Sequence, residues 1–230
     1  MPKPRSIVIL TGAGISRESG LDTFRDPGGV WDKVRLEDVA TPDAFRRDPN
    51  RVHAFYNARR AQLNAVEPNA AHRALGELDR AWTGDLLLVT QNIDDLHERG
   101  GSQRLLHMHG TLRHVRCLGC AAVSPWLEAA DTETPCPVCG QATLRPDVVW
   151  FGEVPLHMDA IMDALSVCDL FVSIGTSGTV YPAAGFVELA GRQADTLELN
   201  LEPSGGGAFD RSLSGPATEL VPRFVADLLS

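Results

Sequence analysis

The chain has 230 residues, of which 43% are hydrophobic, 22% charged and 6% aromatic. This is a globular composition, and the absence of low-complexity tracts and sustained heptads excludes collagen, coiled coil and disorder. With 21 basic and 30 acidic residues, the formal net charge is −9. Nucleic acid is therefore not an expected partner, because phosphate affinity requires clustered Lys and Arg. A lysine-rich protein tail is compatible with this charge.

The N-terminal segment predicts a first strand and not a targeting signal. Its apolar run, Ile7–Leu10, is short and leads directly into the glycine turn Gly12-Ala-Gly14, unlike a signal peptide. Runs such as Leu86–Val89 are far too short to span a bilayer. Four of the five cysteines form two Cys-x-x-Cys pairs, which is typical of a metal site in a reducing compartment. We therefore expect a cytoplasmic protein without a membrane partner.

Short apolar strands alternate with helices along most of the chain. The predicted strands are Ser6–Leu10, Leu86–Thr90, Leu170–Ile174 and Thr196–Leu201, and the predicted helices are Ala70–Arg80, Met158–Val167, Pro182–Arg192 and Glu219–Leu229. This alternation predicts an α/β fold, a Rossmann-like parallel sheet with helices on both faces. Ligands of such sheets bind beyond the carboxyl ends of the strands, and here those ends carry Gly, Thr, Ser, Asn or Gln.

Two segments interrupt the alternation. Thr41–Ala65 predicts helices separated by Asp48-Pro49, within a helical insertion at about 36–68. Arg116–Thr143 has little periodicity and contains both cysteine pairs, so we expect a small module inserted there. The predicted boundaries place residues 1–113 and 145–230 in a Rossmann-type domain and residues 114–144 in the small domain.

The cysteine pairs predict one structural zinc ion. Cys117-Leu-Gly-Cys120 and Cys136-Pro-Val-Cys139 are separated by 15 residues, a spacing that places four thiolates at the corners of a tetrahedron. The alternatives are two disulfides or four unrelated cysteines, which the paired spacing and the reducing compartment disfavour. Four thiolates leave no position for a catalytic water. The fifth cysteine, Cys168, stands alone in an apolar stretch and is expected in the core.

Polar residues follow the first two predicted strands. Gly12-Ala-Gly14 allows the backbone to approach a pyrophosphate, but an ordinary turn fits the same residues, and Arg17 replaces the third glycine of the dehydrogenase fingerprint. Gln91, Asn92 and Asp94 follow the second strand, where they can bind ribose hydroxyls or cap a helix. These residues by themselves do not distinguish nucleotide binding from an ordinary turn and a helix cap.

The order of the polar blocks carries a family resemblance. The blocks are Gly12-Ala-Gly-Ile-Ser16, Ser19-Gly20, Thr23-Phe-Arg25, Gln91-Asn-Ile-Asp94, His109-Gly110, Phe151-Gly-Glu153 and Gly175-Thr-Ser177. With four cysteines between the fourth and sixth blocks, the set closely resembles the sirtuin family of NAD-dependent protein lysine deacylases. The resemblance runs from Ile7 to about Leu228. It implies a Rossmann-type domain, a zinc ribbon, and a cleft between them that holds NAD and the acyl-lysine of a protein or peptide.

The resemblance also implies which residues form the site. Those expected to bind NAD are Gly12, Ala13, Gly14, Ile15, Ser16, Thr23, Phe24, Arg25, Trp31, Gln91, Asn92, Ile93, Asp94, Gly175, Thr176, Ser177, Asn200, Leu201, Glu202 and Ala217. Those expected to contact the acyl-lysine are Tyr56, Arg59, Val149, Phe151, Gly152, Glu153 and Val180. Asn92 and Asp94 are expected to take part in catalysis as well.

The sequence His107-Met108-His109-Gly110 offers two candidates for a catalytic base, which on a strand would share a face. A histidine suits proton transfer near neutral pH. The family's catalytic histidine immediately precedes a glycine, which selects His109 and leaves His107 a supporting role.

Tyr56-Asn-Ala-Arg59 lies in the predicted helical insertion, where a three-residue spacing places both side chains on one helix face. A phenol and a guanidinium can together bind a carboxylate. The alternative is an exposed basic helix, since Arg60 follows and Arg51 precedes. At this place the motif resembles class III sirtuins, which implies succinyl- and malonyl-lysine as substrates and acetyl-lysine as a weaker one.

Three functions fit these expectations. The first is an NAD-consuming lysine deacylase that yields nicotinamide and O-acyl-ADP-ribose. The second is a protein mono-ADP-ribosyltransferase that uses the same NAD pocket. The third is a non-catalytic NAD sensor or interaction module, which the presence of His109, Asn92 and Asp94 disfavours.

Overall fold

The structure is a computed structural model that describes residues 3–21, 34–204 and 207–230. The strands are β1 Ser6–Thr11, β2 Asp85–Thr90, β3 Leu105–His107, β4 Gly110–Cys117, β5 Val123–Pro125, β6 Leu144–Val148, β7 Leu170–Ile174, β8 Asp195–Asn200 and β9 Arg211–Ser214. The helices are α1 Ala13–Arg17, α2 Pro42–Arg47, α3 Pro49–Leu63, α4 Ala70–Ala81, α5 Leu96–Arg99, α6 Met158–Val167, α7 Phe186–Ala190 and α8 Ala217–Leu229, with 3₁₀ turns at Leu36–Asp38 and Ala183–Gly185.

The main sheet confirms the predicted parallel α/β architecture. Within the described residues it has six strands in the order β3-β2-β1-β7-β8-β9, and every neighbouring pair is parallel. The four predicted strands form its centre, and the prediction missed the two edge strands. β3 has only three residues, and β9 is exposed along its length, so neither shows an apolar pattern.

Helices cover both faces of this sheet, as the alternation predicts. One face packs against α4 and α8, and its buried side chains include Ile9, Leu88 and Val172. The other face packs against α6 and α7 through Val8, Leu10 and other residues. The predicted helix Pro182–Arg192 is shorter than expected, because a 3₁₀ turn precedes α7 and Gly191 follows it.

The helical insertion forms at the predicted place. The Thr41 hydroxyl accepts a hydrogen bond from Ala44 N at 3.0 Å, and the Asp48 carboxylate accepts one from Arg51 N at 3.0 Å. These caps, each followed by a proline at the first helical position, satisfy backbone groups that have no partner within the helix. Asp48 therefore ends α2 and begins α3, as the sequence predicts.

A second, antiparallel sheet with the order β5-β4-β6 lies beside the four zinc-ligand cysteines. A small core that includes Val115, Ala130 and Leu144 supports it. The sheet begins at Gly110 and ends at Val148, and the 114–144 boundaries stay a prediction. Cys168 lies outside this region and is buried in the core, as expected.

No helix in the described ranges is long and apolar enough to cross a bilayer.

Helix α4 is pressed against the turn that follows α5. A Cβ added to Gly76 would lie 2.2 Å from the Gly100 carbonyl oxygen. We expect Gly76→Ala to lower the free energy of unfolding by about 1–3 kcal/mol through this clash, against the usual gain of a Gly-to-Ala change in a helix. Urea denaturation measures the effect. Glu77→Ala, on the exposed side of α4, is the matched control and should change stability by less than about 0.5 kcal/mol.

Candidate active site

A cleft of about 1340 Å³ opens beyond the carboxyl ends of β1, β2, β7 and β8. It extends from these strand ends to helix α3 and to the segment after β6. Ligands of doubly wound sheets bind at this edge. The cleft is therefore where the fold places the polar residues that the sequence singles out.

Most of the predicted site residues line this one cleft. Of the residues expected to bind NAD, those that line it are Gly12, Ala13, Gly14, Ser16, Gln91, Asn92, Ile93, Asp94, Gly175, Thr176, Ser177, Asn200, Leu201, Glu202 and Ala217, and His109 lies among them. The residues expected to contact the acyl-lysine all line it, and they are Tyr56, Arg59, Val149, Phe151, Gly152, Glu153 and Val180. Ile15 does not line the cleft, because its side chain is fully buried in the core. Thr23, Phe24, Arg25 and Trp31 lie outside the described residues.

Two glycine turns meet at one end of the cleft. Gly14 N donates to the Gly175 carbonyl oxygen at 2.8 Å. A Cβ on Gly14 would lie 2.7 Å from that oxygen, and Gly175 has a φ of +61°, so both positions favour glycine. The contact brings the β1–α1 turn beside the loop after β7, and backbone from both can face a phosphate group.

Asn92 and Asp94 are attached to helix α1 through Ser16. Asn92 Nδ2 donates to Ser16 Oγ at 3.1 Å and to the Gly12 carbonyl oxygen at 3.1 Å. Ser16 Oγ donates to Asp94 Oδ2 at 3.0 Å, and Leu96 N donates to Asp94 Oδ1 at 3.1 Å. These bonds join the glycine turn after β1 to the loop after β2. Burial raises the pKa of Asp94, although the bonds from Leu96 and Ser16 act in the opposite direction.

The structure separates the two candidate histidines. His109 lines the cleft, and its Nδ1 lies 3.0 Å from the Gln91 carbonyl oxygen. A carbonyl accepts only, so Nδ1 carries a proton and Nε2 has a free lone pair in the neutral ring. Burial lowers the pKa of His109, partly offset by the bond to Gln91. A neutral imidazole with an available Nε2 is the form that a general base requires.

His107 is committed to other partners. Its Nδ1 lies 3.0 Å from the Asn92 carbonyl oxygen and its Nε2 lies 2.8 Å from Glu98 Oε1. Burial works against the charged ring, but Glu98, the bond to the Asn92 carbonyl and the charge of Asp94 together outweigh it, and the pKa of His107 is raised. Both ring nitrogens are engaged, and the residue does not line the cleft. The geometry therefore agrees with a supporting role.

Helix α3 presents Tyr56 and Arg59 to the cleft. Tyr56 is only 2% exposed and its Oη accepts a hydrogen bond from Trp150 Nε1 at 3.0 Å. Burial raises the pKa of Tyr56 well above its usual value, against the bond from Trp150 and the charges of Arg145 and Arg59. The phenol thus keeps its proton and can act as a hydrogen-bond donor.

A neighbouring face of α3 contacts the small sheet and its loops. Asn57 pairs with the backbone of Ala130 through bonds of 2.8 and 3.0 Å, and Arg60 Nε donates to the Leu112 carbonyl oxygen at 2.8 Å. Arg60 is 2% exposed, so the alternative of an exposed basic helix is wrong at this residue. Arg51, by contrast, is exposed as that alternative expects, and it pairs with Asp38 at 3.2 Å.

Glu153 lines the cleft, but its carboxylate is occupied. Arg145 donates to its two oxygens at 2.6 and 3.0 Å, and Trp150 N donates to Oε2 at 2.8 Å. Burial alone would raise the pKa of Glu153, but these bonds outweigh it and the pKa is lowered. The carboxylate therefore fixes the loop after β6, and both of its oxygens are bound within the protein.

The sequence analysis missed several cleft residues. They include Leu36, Ala40, Gln62, Leu112, Trp150 and Tyr181. Trp150 could have been found, because it stands between Val149 and Phe151, which were both expected to contact substrate. The others are ordinary core or loop residues in sequence, and only the packing of α3 and the small sheet brings them to the cleft.

Comparison with known proteins agrees with this geometry. The profile of the Sir2 family matches residues 12–182, most of the chain. The chain belongs to the Sir2 family. The NAD-dependent protein deacylase of Bdellovibrio bacteriovorus is 55% identical over 229 residues, which cover 98% of this chain and 97% of the relative. The NAD-dependent protein deacylase of Escherichia coli K12 is 55% identical over 234 residues, covering 100% of this chain and 84% of the relative.

Among solved structures, a Sir2 homologue in complex with NAD superimposes on this Sir2 chain with a TM-score of 0.90. The two are 38% identical, and the match covers 99% of this chain and 92% of that chain. The parallel sheet, the small antiparallel sheet and the cysteine cluster are therefore parts of a Sir2 fold.

The four cysteine sulfurs of this Sir2 chain fit a zinc ion. All four Sγ atoms lie within 4.8 Å of one another, with Cys117–Cys139 at 3.6 Å and Cys120–Cys136 at 3.8 Å. A tetrahedral site with Zn–S bonds of about 2.3 Å has sulfur–sulfur edges of about 3.8 Å. The cysteines are free thiols and not disulfides. The closed donor set suits a structural ion, which would hold the loops of the small sheet together.

We expect Cys136→Ser to remove zinc, lower the thermal stability and then reduce activity, because metal binding and folding of the small module are coupled. Elemental analysis and a melting curve measure the first two effects. Cys168→Ala is the matched control, since Cys168 is a buried thiol outside the cluster, and it should keep one zinc ion per chain. Full activity of Cys136→Ser would contradict the structural role.

Proposed function

We propose that this chain is an NAD-dependent protein lysine deacylase that prefers succinyl- and malonyl-lysine and removes acetyl groups more slowly. The observation that supports this best is that one cleft contains both Tyr56 with Arg59 and Asn92, Asp94 and His109. Tyr56 and Arg59 can bind the carboxylate of an acyl group. Asn92, Asp94 and His109 can bind a ribose and accept a proton from it. The family membership and the names of its relatives support the deacylase activity itself.

In this proposal NAD is a co-substrate bound beyond the ends of the strands. The turns at Gly12–Gly14 and Gly175–Ser177 face its phosphates, since both turns line the same cleft. Thr176 and Ser177 supply backbone and hydroxyl donors, because the N–H groups of Gly14 and Gly175 are bound to protein carbonyls. Asn92 and Asp94 face the nicotinamide half. Asn200, Leu201, Glu202 and Ala217, at the end of β8 and the start of α8, face the adenosine half.

The acyl-lysine enters between two loops that border the cleft. Val149, Phe151, Gly152 and Glu153 follow β6, and Val180 follows β7. Phe151 is half exposed and Val180 is partly exposed at the rim, so both can pack on the aliphatic part of lysine. Glu153 contributes through its backbone, because its carboxylate is bound by Arg145.

The reaction then proceeds in three steps. The acyl oxygen attacks the anomeric carbon of the ribose, and nicotinamide leaves. His109 Nε2 accepts a proton from a ribose hydroxyl, so that the 2′ oxygen attacks the resulting imidate. Water then releases the free lysine and O-acyl-ADP-ribose. The cysteine-bound zinc takes no part in these steps.

We also propose the division into residues 1–113 and 145–230, which contain the main sheet, and residues 114–144, which contain the zinc ligands. A reducing cytoplasm is the proposed location, since a zinc site requires that its four cysteines stay free thiols. Acylated lysine residues of proteins or peptides are the proposed partners.

The reaction products test the proposal. We expect mass spectrometry of an incubation with NAD and a succinyl-lysine peptide to show free peptide, nicotinamide and O-succinyl-ADP-ribose. An ADP-ribosylated protein or peptide instead of these products would favour the transferase, and intact NAD would favour a non-catalytic sensor.

His109→Ala should retain the fold and NAD binding while deacylation falls about 10²–10⁴-fold, the usual contribution of a general base. Matched assays of nicotinamide release and peptide deacylation locate the loss, which we expect after nicotinamide has left. His107→Ala is the comparison, because His107 is bonded to Asn92 and Glu98. If His107→Ala abolishes deacylation and His109→Ala does not, the assignment is reversed.

Arg59→Met should cut kcat/KM for a succinyl peptide more than about tenfold, since a buried charge that loses its partner costs on the order of 2–5 kcal/mol. Deacetylation should change much less, because acetyl-lysine carries no carboxylate. Tyr56→Phe should act in the same direction with a smaller effect.

Arg51→Met, an exposed change on the same helix, is the control and should leave both rates near wild type. Parallel losses on succinyl and acetyl peptides in Arg59→Met would mean that Arg59 only supports the helix.

A further inference from the structure

The phenol of Tyr56 receives one hydrogen bond and has its own hydrogen to donate. Trp150 Nε1 donates to Tyr56 Oη at 3.0 Å, and both side chains are buried, at 3% and 2% exposure. Among the described residues, Trp150 is the one hydrogen-bond partner of the phenol oxygen. The phenolic hydrogen thus has no acceptor there, although Tyr56 lines the cleft.

The indole that makes this bond is held in one orientation. The Arg145 guanidinium carbon lies 3.4 Å from the centroid of the Trp150 ring, and the Phe45 ring lies 5.3 Å away at 39°. Arg145 is in turn fixed by Glu153 and by the Val148 carbonyl oxygen at 2.7 Å. A cation over an indole face is an attractive contact. The contact with Arg145 therefore fixes the position of the Trp150 ring and, with it, the direction in which its N–H group donates.

A bound donor restricts the hydroxyl that accepts from it. The O–H of a phenol prefers the plane of its ring, where the hydrogen has two positions on opposite sides of the C–O bond. When an N–H group approaches the oxygen from one side, the hydrogen must occupy the other. The hydrogen bond from Trp150 therefore determines the direction in which the Tyr56 hydroxyl can donate its hydrogen.

We propose that Trp150 is a positioning residue for acyl selection: its indole N–H orients the Tyr56 hydroxyl so that the phenolic hydrogen is donated to the carboxylate of the acyl group. This inference rests on the proposed function and deepens it, because it assigns part of the preference for acidic acyl groups to a side chain that need not touch the carboxylate. Without the indole N–H, the phenolic hydrogen populates both in-plane orientations.

Trp150→Phe keeps an aromatic ring beside Arg145 and removes the donor. We expect the ratio of kcat/KM for succinyl- over acetyl-lysine peptides to fall by about three- to tenfold, the effect of one hydrogen bond. The ratio cancels any loss that both substrates share, such as a general loosening of the cleft. Trp126→Phe is the matched control, because Trp126 donates its indole N–H within the small module, to Ala129 at 3.4 Å, and should leave the ratio unchanged.

A double-mutant cycle with Tyr56→Phe separates positioning from packing. If Trp150 acts through the Tyr56 hydroxyl, the double variant should have the same ratio as Tyr56→Phe alone, since no hydroxyl remains to be oriented. An unchanged ratio in Trp150→Phe, or a double variant whose loss is the product of the two single losses, would overturn the proposal.

Replacement of Trp150 by β-(3-benzothienyl)alanine, which keeps the bicyclic shape and lacks the N–H group, repeats the test if Trp150→Phe does not fold. The same fall of the ratio is expected, and an unchanged ratio would again overturn the proposal. A wild-type protein that deacylates without preferring succinyl-lysine would overturn both the acyl preference and this inference. A wild type that prefers succinyl-lysine, with no effect at Trp150, would overturn this inference alone.

Discussion

Three consecutive backbone carbonyls, those of Gln91, Asn92 and Ile93, hold the segment that carries His109. They accept hydrogen bonds from His109, His107 and Leu112 N, at 3.0, 3.0 and 2.8 Å. This ladder joins the loop after β2 to the end of β3 through His107, to the connecting residue His109, and to β4 of the small sheet through Leu112. Because Asn92 and Asp94 lie in the same loop, the bonds that connect the two sheets also set the histidine relative to the carboxylate and amide.

Helix α3 has a similar double role at the other end of the cleft. Its Asn57 and Arg60 bind backbone groups of the small module, while Tyr56 and Arg59 face the cleft. These tertiary hydrogen bonds add to the burial of Val52 and Leu63 in holding the inserted helix in place. The proposed acyl selection and the attachment of the small module therefore depend on the same helix.

Sequence patterns were least informative where side chains bind the protein itself. Arg60 resembles a surface arginine in sequence, yet it is buried with backbone carbonyls as partners. Glu153 stands in a block that was expected to contact substrate, but its carboxylate is bound to Arg145. Local spacing cannot show such pairs, because Arg60 meets Leu112 across 52 residues of chain.

The sequence by itself determined the central strands, the capped helices at Thr41 and Asp48 and the cysteine cluster, because each depends on local chemistry: apolar periodicity, a cap or a metal-ligand spacing. Its selection of His109 as the base depends on a family motif and stays a prediction. Only the tertiary structure decided how far the cleft extends, which nitrogen of His109 is free, and that Trp150 contacts Tyr56. Those features depend on contacts between segments distant in sequence, such as the 94 residues that separate Tyr56 from Trp150, and their geometry exists only once the chain is packed.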